Sequence, residues 1–298
     1  MTHPFQRYTA AGNTFIVLNT WDDPLSLSRE EMKMFVKKSC DEKAGIGADG
    51  VILINQSFSA PFRMDFYNPD GTTGMLCGNG SRCAALAARD FGFVTNDNTD
   101  FEVLGSINRA EFLPNNNVRV FFQDPTIIRL NFELQVEKNK NIIASYVDIG
   151  SQHVVVFFDS LGLPADRNIE SMDVDLMGAF FRGHKAFAPV GANANFIEIR
   201  ENGDEKYIRI RTFERGVEGE TLACGTGCMS SAIVAFLTGR IEQTPIRLLT
   251  QSGEFVTVNF KTEGERISQL SLEGSVVRGE QGTLTFDENT GRLDVEYA

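Results

Sequence analysis

The feature that most restricts what this chain can fold into is an internal repeat. Cys77-Gly78-Asn79-Gly80 and Cys224-Gly225-Thr226-Gly227 stand about half the chain apart, each opening a run of small residues. The likeness is longer than the tetrapeptides. Phe66 to Leu86 (FYNPDGTTGMLCGNGSRCAAL) lies over Phe213 to Val234 (FERGVEGETLACGTGCMSSAIV). A second match pairs Gly12-Asn13-Thr14-Phe15, leading into Ile16-Val17-Leu18, with Gly150-Ser151-Gln152-His153, leading into Val154-Val155-Val156. Two copies of one long unit predict two related domains and exclude a solenoid, which needs three or more short repeats. The 298 residues are also more than one compact core usually uses.

Hydrophobic alternation predicts many strands, including 118–122, 207–213, 255–260 and 283–286. Helices are expected over Ser28 to about Cys40, Ser81 to Phe91, Met172 to about Arg182 and Cys228 to Leu237. The second and fourth stop before Gly92 and Gly239, where glycine suits a left-handed C-terminal residue. The class is α+β or mixed α/β, rich in strands. The small residues after each cysteine let neighbouring backbones approach closely. Each such helix is therefore expected inside a curved sheet, its N-terminal cysteine directed toward the other domain.

Composition narrows the partners. A net charge of −12 argues against nucleic acid or an anionic membrane, since phosphates need a basic surface. No stretch approaches the roughly 20 apolar residues that span a bilayer. The opening MTHPFQRYTAAGNTFIVL lacks a basic start and a cleavage site, so a cytoplasmic protein is expected. Five cysteines form no even disulfide framework, which suits a reducing compartment. The Cys77…Cys83 and Cys224…Cys228 spacings are not those of a zinc knuckle, and no metal is expected. Gly45 to Gly50 (GIGADG) lacks the spacing and preceding strand of a dinucleotide fingerprint, and is expected to be a tight turn near the substrate.

A cysteine at a helix start sits among unpaired N–H groups and the positive end of the helix dipole, which stabilise a thiolate. Two such cysteines suggest a pair: one removes a proton from an α-carbon and the other returns one to the opposite face. The N–H groups of Gly78-Asn79 and Gly225-Thr226 would hold the substrate carboxylate as it gains enolate character. Glu214 and Arg215 could grip an amino acid's ammonium and carboxylate groups. His153 stands in the duplicated turn after Gly150 and is a functional candidate, whereas His3 and His184 read as structural. Cys40, Cys83 and Cys228 read as packing residues.

These segments resemble the diaminopimelate epimerase family. The matching stretches are Ala11-Gly-Asn-Thr-Phe15, Gly45 to Gly50, Tyr67-Asn-Pro-Asp-Gly71, Cys77 to Cys83, Asn193-Ala-Asn-Phe196 and Glu214-Arg-Gly216 through Gly227, in the family's order. The resemblance implies an isomerase without cofactor, built from two pseudo-symmetric domains. Each would be a strand-rich, barrel-like sheet around a central helix, with the site in the cleft between. Residues 1–127 with 273–298 would form one domain and 128–272 the other. It implies Cys77 and Cys224 as the acid–base pair and His153 and Glu214 at the reactive ammonium. Gly78, Asn79, Gly225 and Thr226 would lie on the reactive carboxylate, and Asn13, Asn68, Asn193 and Arg215 along the rest of the substrate, with Gly50 and Ser151 nearby. It further implies a homodimer acting on LL- and meso-diaminopimelate in lysine and peptidoglycan synthesis.

Two departures stand out. The family's Gly-Asn-Pro-His turn reads Gly150-Ser151-Gln152-His153, and Thr14 follows Asn13 where an aspartate is usual. A paralogous racemase for another amino acid, histidine for example, is thus a competing reading. Proline racemases and phenazine-pathway isomerases share the expected fold, and the latter lack the cysteine pair. A non-catalytic amino-acid binding module and a redox sensor are readings of other classes.

Overall fold

A computed structural model describes residues 1–74, 77–137, 140–164, 166–264 and 266–298, the side chain of Glu137 excepted. Met75 and Leu76, inside the first copy of the repeat, lie outside the described residues. The chain divides into two compact units, Met1–Val120 with Gly274–Ala298, and Phe121–Glu273.

The first unit begins with a hairpin of β1 (Thr2–Ala10) and β2 (Asn13–Asn19). Helix α1 (Arg29–Cys40) leads to β3 (Val51–Asn55) and β4 (Arg63–Tyr67). Helix α2 (Gly78–Asp90) leads to β5 (Asn98–Val103), β6 (Ser106–Leu113) and β7 (Asn117–Phe121). The second unit runs β8 (Ile127–Glu137), β9 (Lys140–Asp148), β10 (Gln152–Phe157), α3 (Val174–Arg182), β11 (Asn193–Asn202), β12 (Glu205–Glu214) and β13 (Gly219–Thr221). It continues with α4 (Gly225–Leu237), β14 (Ile246–Leu249), β15 (Phe255–Glu263) and β16 (Arg266–Ser275). The chain then adds β17 (Val277–Asp287) and β18 (Arg292–Tyr297) to the first unit.

The repeat is written in the strand pairing. In the second unit β8, β9 and β10 are antiparallel neighbours, β10 is parallel to β11, β11 antiparallel to β12, β12 parallel to β14, and β14, β15 and β16 antiparallel again. The first unit repeats that order as β17, β1, β2, β3, β4, β5, β6, β7. Its first place is filled by the C-terminal strand β17, which explains why the chain end returns. Each parallel step needs a crossover. In both units the first crossover carries an outer helix, α1 or α3, and the second carries the enclosed helix, α2 or α4.

Both faces of these sheets are therefore covered. Phe15 to Leu18 and His153 to Phe157 are buried without alternation. Helix α1 packs Phe35 and Val36 on Ile16, Leu53 and Phe286, and α3 packs Phe181 on Val154, Phe196 and Phe213. Helix α2 is buried from Gly78 through Ala88 and α4 from Gly227 through Ala235. Side chains larger than the alanines and serines here would push the surrounding strands apart.

The helix ends agree with expectation at one terminus and depart at the other. Gly92 (φ +84°) and Gly239 (φ +71°) take the left-handed conformation just past α2 and α4. Both helices, however, start three residues earlier than the pattern predicts, with Cys77 and Cys224 as N-caps. The glycines that read as turns form the first helical turn. Helix α1 starts after a capping box of Ser28 and Glu31, and α3 after Asp173. Among the described residues, no helix is long and apolar enough to cross a membrane.

Candidate active site

In the first unit the cysteine is held as a helix cap. The Gly80 N–H donates to Cys77 Sγ at 3.5 Å. Asn79 is buried, donates from Nδ2 to Asn13 Oδ1 at 2.7 Å, and accepts at Oδ1 from Arg82 at 3.0 Å. Its amide orientation is thus fixed, and its backbone N–H sits in the first turn of α2. Asn13 follows the tight Ala11–Gly12 turn (φ +49° and +84°) that closes the β1–β2 hairpin.

The GIGADG segment is tied to the same place. The Thr14 N–H donates to Asp49 Oδ2 at 2.8 Å, and the Ile16 N–H to the Gly50 carbonyl at 3.1 Å. A Cβ on Gly50 would fall 2.5 Å from the Phe66 ring and 2.7 Å from the Tyr67 carbonyl. Packing inside the protein accounts for that glycine. Asn68 closes its own turn, its Nδ2 donating to Thr72 Oγ1 at 3.1 Å.

In the second unit the strand register brings the remaining candidates together. His153 on β10 stands opposite Asn193 on β11, and Asn195 opposite Thr212 on β12. His153 is fully enclosed. Burial, aided by the nearby Arg215 charge, depresses its pKa to about 3, against a smaller opposing effect of Asn195. The ring is therefore neutral. Asn195 Oδ1 accepts from Thr212 Oγ1 at 3.0 Å, and its Nδ2 donates to the Val154 carbonyl at 3.0 Å and to His153 Nδ1 at 3.1 Å. The shorter of the two amide contacts on the ring, 3.1 Å at Nδ1 against 3.5 Å from Asn193 Nδ2 to Nε2, favours the tautomer with the proton on Nε2. In that tautomer His153 offers a hydrogen at Nε2 rather than an acceptor.

Asn193 is equally committed. Its Oδ1 accepts from the Arg215 N–H at 2.8 Å, while Nδ2 donates to Ser151 Oγ at 3.0 Å and the Gln152 carbonyl at 2.9 Å. The Arg215 guanidinium donates to Gln152 Oε1 at 2.9 Å.

Cys224 caps α4, and its Sγ lies 3.4 Å from Thr226 Oγ1. Burial raises its pKa well above that of an ordinary thiol, and the neighbouring Glu214 carboxylate raises it further. Thr226 and the Gly227 N–H pull the other way. The thiolate stabilisation expected of a helix start is thus outweighed here by desolvation, and Cys224 is a thiol. Glu214 is itself raised by burial, with Thr221 and Cys224 acting in opposition. Carboxylate and thiol form a coupled pair.

The other candidates have plain structural settings. His3 is buried 3.7 Å from Asp23, and His184 accepts at Nδ1 from the Ala186 N–H. Cys40, Cys83 and Cys228 are buried. Among the described residues no group of three or more His, Cys, Asp or Glu side chains could hold a metal ion.

Sequence reasoning assigned no role to three residues that build this half. Asn195 belongs to the quoted Asn193-Ala-Asn segment, and its i, i+2 spacing already puts it on the face of Asn193. Arg211, also buried, pairs with Glu220 on β13 at 2.6 Å and donates to the carbonyls of Ile169 and Met172 at 2.8 Å. It thereby pins the strand that leads into Cys224. Gln152 is the third.

The fold is shared with solved isomerases and related enzymes. A phenazine biosynthesis protein of the PhzF family from Bacillus anthracis superposes with a TM-score of 0.69 at 16% identity, covering 96% of this chain and 100% of that one. A hydroxyproline epimerase from Agrobacterium vitis, solved with bound trans-4-hydroxy-L-proline, superposes with a TM-score of 0.69 at 14% identity, covering 98% and 95%. These likenesses place the architecture in that class of two-unit, strand-rich folds.

Sequence is more specific. The diaminopimelate epimerase family matches over residues 5–127 and 145–278. The diaminopimelate epimerase of Aquifex aeolicus is 35% identical over 288 residues, covering 94% of this chain and 97% of that protein. That of Chlorobaculum tepidum is 35% identical over 279 residues, covering 93% and 100%. The chain belongs to the diaminopimelate epimerase family and is an isomerase of the epimerase and racemase type.

Proposed function

We propose that this protein interconverts LL- and meso-diaminopimelate without a cofactor, with Cys77 and Cys224 exchanging protons with opposite faces of one α-carbon. The observation that carries the mechanism is that Cys77 and Cys224 are matching N-caps of the two enclosed helices, with the Glu214 carboxylate beside Cys224. Burial and that carboxylate raise the Cys224 pKa, which suits the acid of the pair. In that direction a Cys77 thiolate takes the α-proton, the C–H electrons move toward the carboxylate, and Cys224 S–H protonates the opposite face. Cys77 ends as a thiol and Cys224 as a thiolate, so the reverse reaction starts from the product state.

The first-turn N–H groups of Gly78-Asn79 and Gly225-Thr226 stabilise the carboxylate as negative charge grows on it, the interaction that contributes most to such a reaction. Glu214 supplies charge for the reactive ammonium, and neutral His153 orients the substrate by donating from Nε2. Asn13, Asn68, Asn193 and Arg215 receive the far end, where Arg215 binds the distal carboxylate. Ser151 acts through Asn193, and Gly50 supports the wall beside Phe66. The domains correspond to the two compact units, Met1–Val120 with Gly274–Ala298 and Phe121–Glu273, so the first boundary lies seven residues before the expected 127 and the second one residue after the expected 272. The working form is a cytoplasmic homodimer.

The test is α-proton exchange in deuterium oxide, followed by NMR with one amino acid at a time. Exchange with LL- or meso-diaminopimelate, abolished by Cys77→Ala and by Cys224→Ala, is expected. Exchange of another amino acid alone, histidine included, would reject the substrate. Full turnover in either alanine variant would reject the two-cysteine mechanism. Light scattering checks the dimer.

A further inference from the structure

The turn that departs from the family, Ser151-Gln152, is wired into the substrate residues. The Gln152 amide is a bridge: Oε1 accepts from Arg215 Nη1 at 2.9 Å and Nε2 donates to Asp148 Oδ2 at 3.0 Å. Flipping the amide would oppose donor to donor and acceptor to acceptor, so its orientation is set. Asp148 is held in turn by the Gly150 N–H at 2.9 Å. Arg215 Nη1 also reaches the carbonyls of Val190 and Gly191, at 3.4 and 3.3 Å. That backbone is held by the Gly191 N–H, which donates to the Phe187 carbonyl at 2.8 Å, and the Ala192 N–H, which donates to the Arg182 carbonyl at 3.3 Å.

All of these acceptors lie on one guanidinium nitrogen. Among the described residues no hydrogen-bond acceptor lies on Nε or Nη2, the parallel pair of donors that matches a carboxylate. We infer that Gln152 is a positioning residue that clamps Arg215 by Nη1 and so presents the Nε–Nη2 edge to a second carboxylate on the substrate. The inference rests on the function proposed above and deepens it. A proline at this position, as in the family's usual turn, has no side-chain amide and cannot form this bridge. The change that raised a racemase for histidine as an alternative therefore supports a dicarboxylic substrate: an imidazole has no paired acceptors to offer that edge.

Steady-state kinetics of the full-length enzyme with meso-diaminopimelate test this. Gln152→Met keeps the length of the side chain and removes both hydrogen bonds. KM is expected to rise on the order of tenfold, as for loss of one hydrogen bond to a charged group, with kcat changed less than about twofold, because the effect is on binding. In an Arg215→Met background the same change is expected to leave kcat/KM unaltered, since Gln152 acts through the arginine. Should Gln152→Met fail to fold, Gln152→Asn, too short to span both partners, is expected to shift KM in the same direction. An unchanged KM in a folded variant, a drop confined to kcat, or an equal penalty without Arg215 overturns the inference while the substrate assignment stands. Failure of the unmodified enzyme to act on diaminopimelate overturns both.

Discussion

Gly80 and Gly227 occupy the same place in the two repeats, three residues after each cysteine in the first turn of α2 and α4, yet alanine should act oppositely at the two. At Gly80 a Cβ would meet Met64 Cε at 3.3 Å, Cys77 Cβ at 3.5 Å and Ile52 Cδ1 at 3.6 Å. The tightest neighbour is the end of a flexible side chain, which moves a few tenths of an ångström. Set against that is the helix preference for alanine over glycine, up to about 1 kcal/mol. At Gly227 the Cβ would overlap Asn195 Oδ1 and lie 3.3 Å from Cys224 Cβ. Asn195 has no slack, because its amide is bonded to Thr212, Val154 and His153 in an enclosed site. Displacing it forfeits three bonds at about 1 kcal/mol each, and overpacking costs about 1–3 kcal/mol more. Less the helix gain, Gly227→Ala should destabilise by roughly 3–5 kcal/mol. At about 2–4 °C per kcal/mol for a unit of this size, the melting midpoint falls by at least roughly 6 °C. Gly80→Ala should stay within about 1 kcal/mol of the parent. Thermal melts of both variants, followed by far-UV circular dichroism, decide the matter. Equal shifts, or a Gly227→Ala protein as stable as the parent, would refute the packing argument.

Two further outcomes follow from the charges in the second unit. Glu214→Gln removes a negative charge that raises the Cys224 pKa, so Cys224 should alkylate faster at pH 7.5 in a Cys77→Ser background, as read by mass spectrometry of iodoacetamide-treated protein; an unchanged or slower rate would show that the two groups are not coupled. His153 is depressed to about 3 in the folded protein against roughly 6.5 unfolded, so it binds fewer protons when folded. Its contribution to stability is complete above pH 6.5 and is lost as pH falls toward about 3. His153→Gln should flatten the decline in urea-denaturation stability across that window, and an equally steep decline would mean that the ring is not held neutral.

How much of this was legible depended on sequence distance. The cysteines, their helices and the glycine stops could be read because all the partners lie within one or two turns. The helix starts were misplaced by three residues for a local reason: Gly-x-Gly reads as a turn, and only the cap geometry shows it to be helical. For Asn195 the i, i+2 spacing showed only a face shared with Asn193; its partners His153 and Thr212 meet it through the register of β10, β11 and β12, and Gly227 comes from α4, all distant in the chain. Gln152 looked like a loss of the family's proline, since the arginine it clamps is distant in the chain.

The repeat also explains why the two thiols need not behave alike. Laying the copies over one another puts Tyr67 at the place of Glu214, Asn68 at that of Arg215, and Phe15 at that of His153. The parts that were kept do packing work. Phe66 lies against the Cβ positions of Gly50 and Gly74, and Phe213 against that of Gly178. The charged and titrating side chains differ. In the first unit the Cys77 sulfur accepts from the Gly80 N–H, and no carboxylate stands at the position of Glu214. In the second the carboxylate sits beside Cys224 and holds its proton on. The mechanism proposed above needs one sulfur charged and the other protonated, since two thiolates could not donate and two thiols could not abstract. The two matching helix caps thus differ in their surroundings: Tyr67 stands where the second copy has Glu214, the carboxylate that raises the Cys224 pKa.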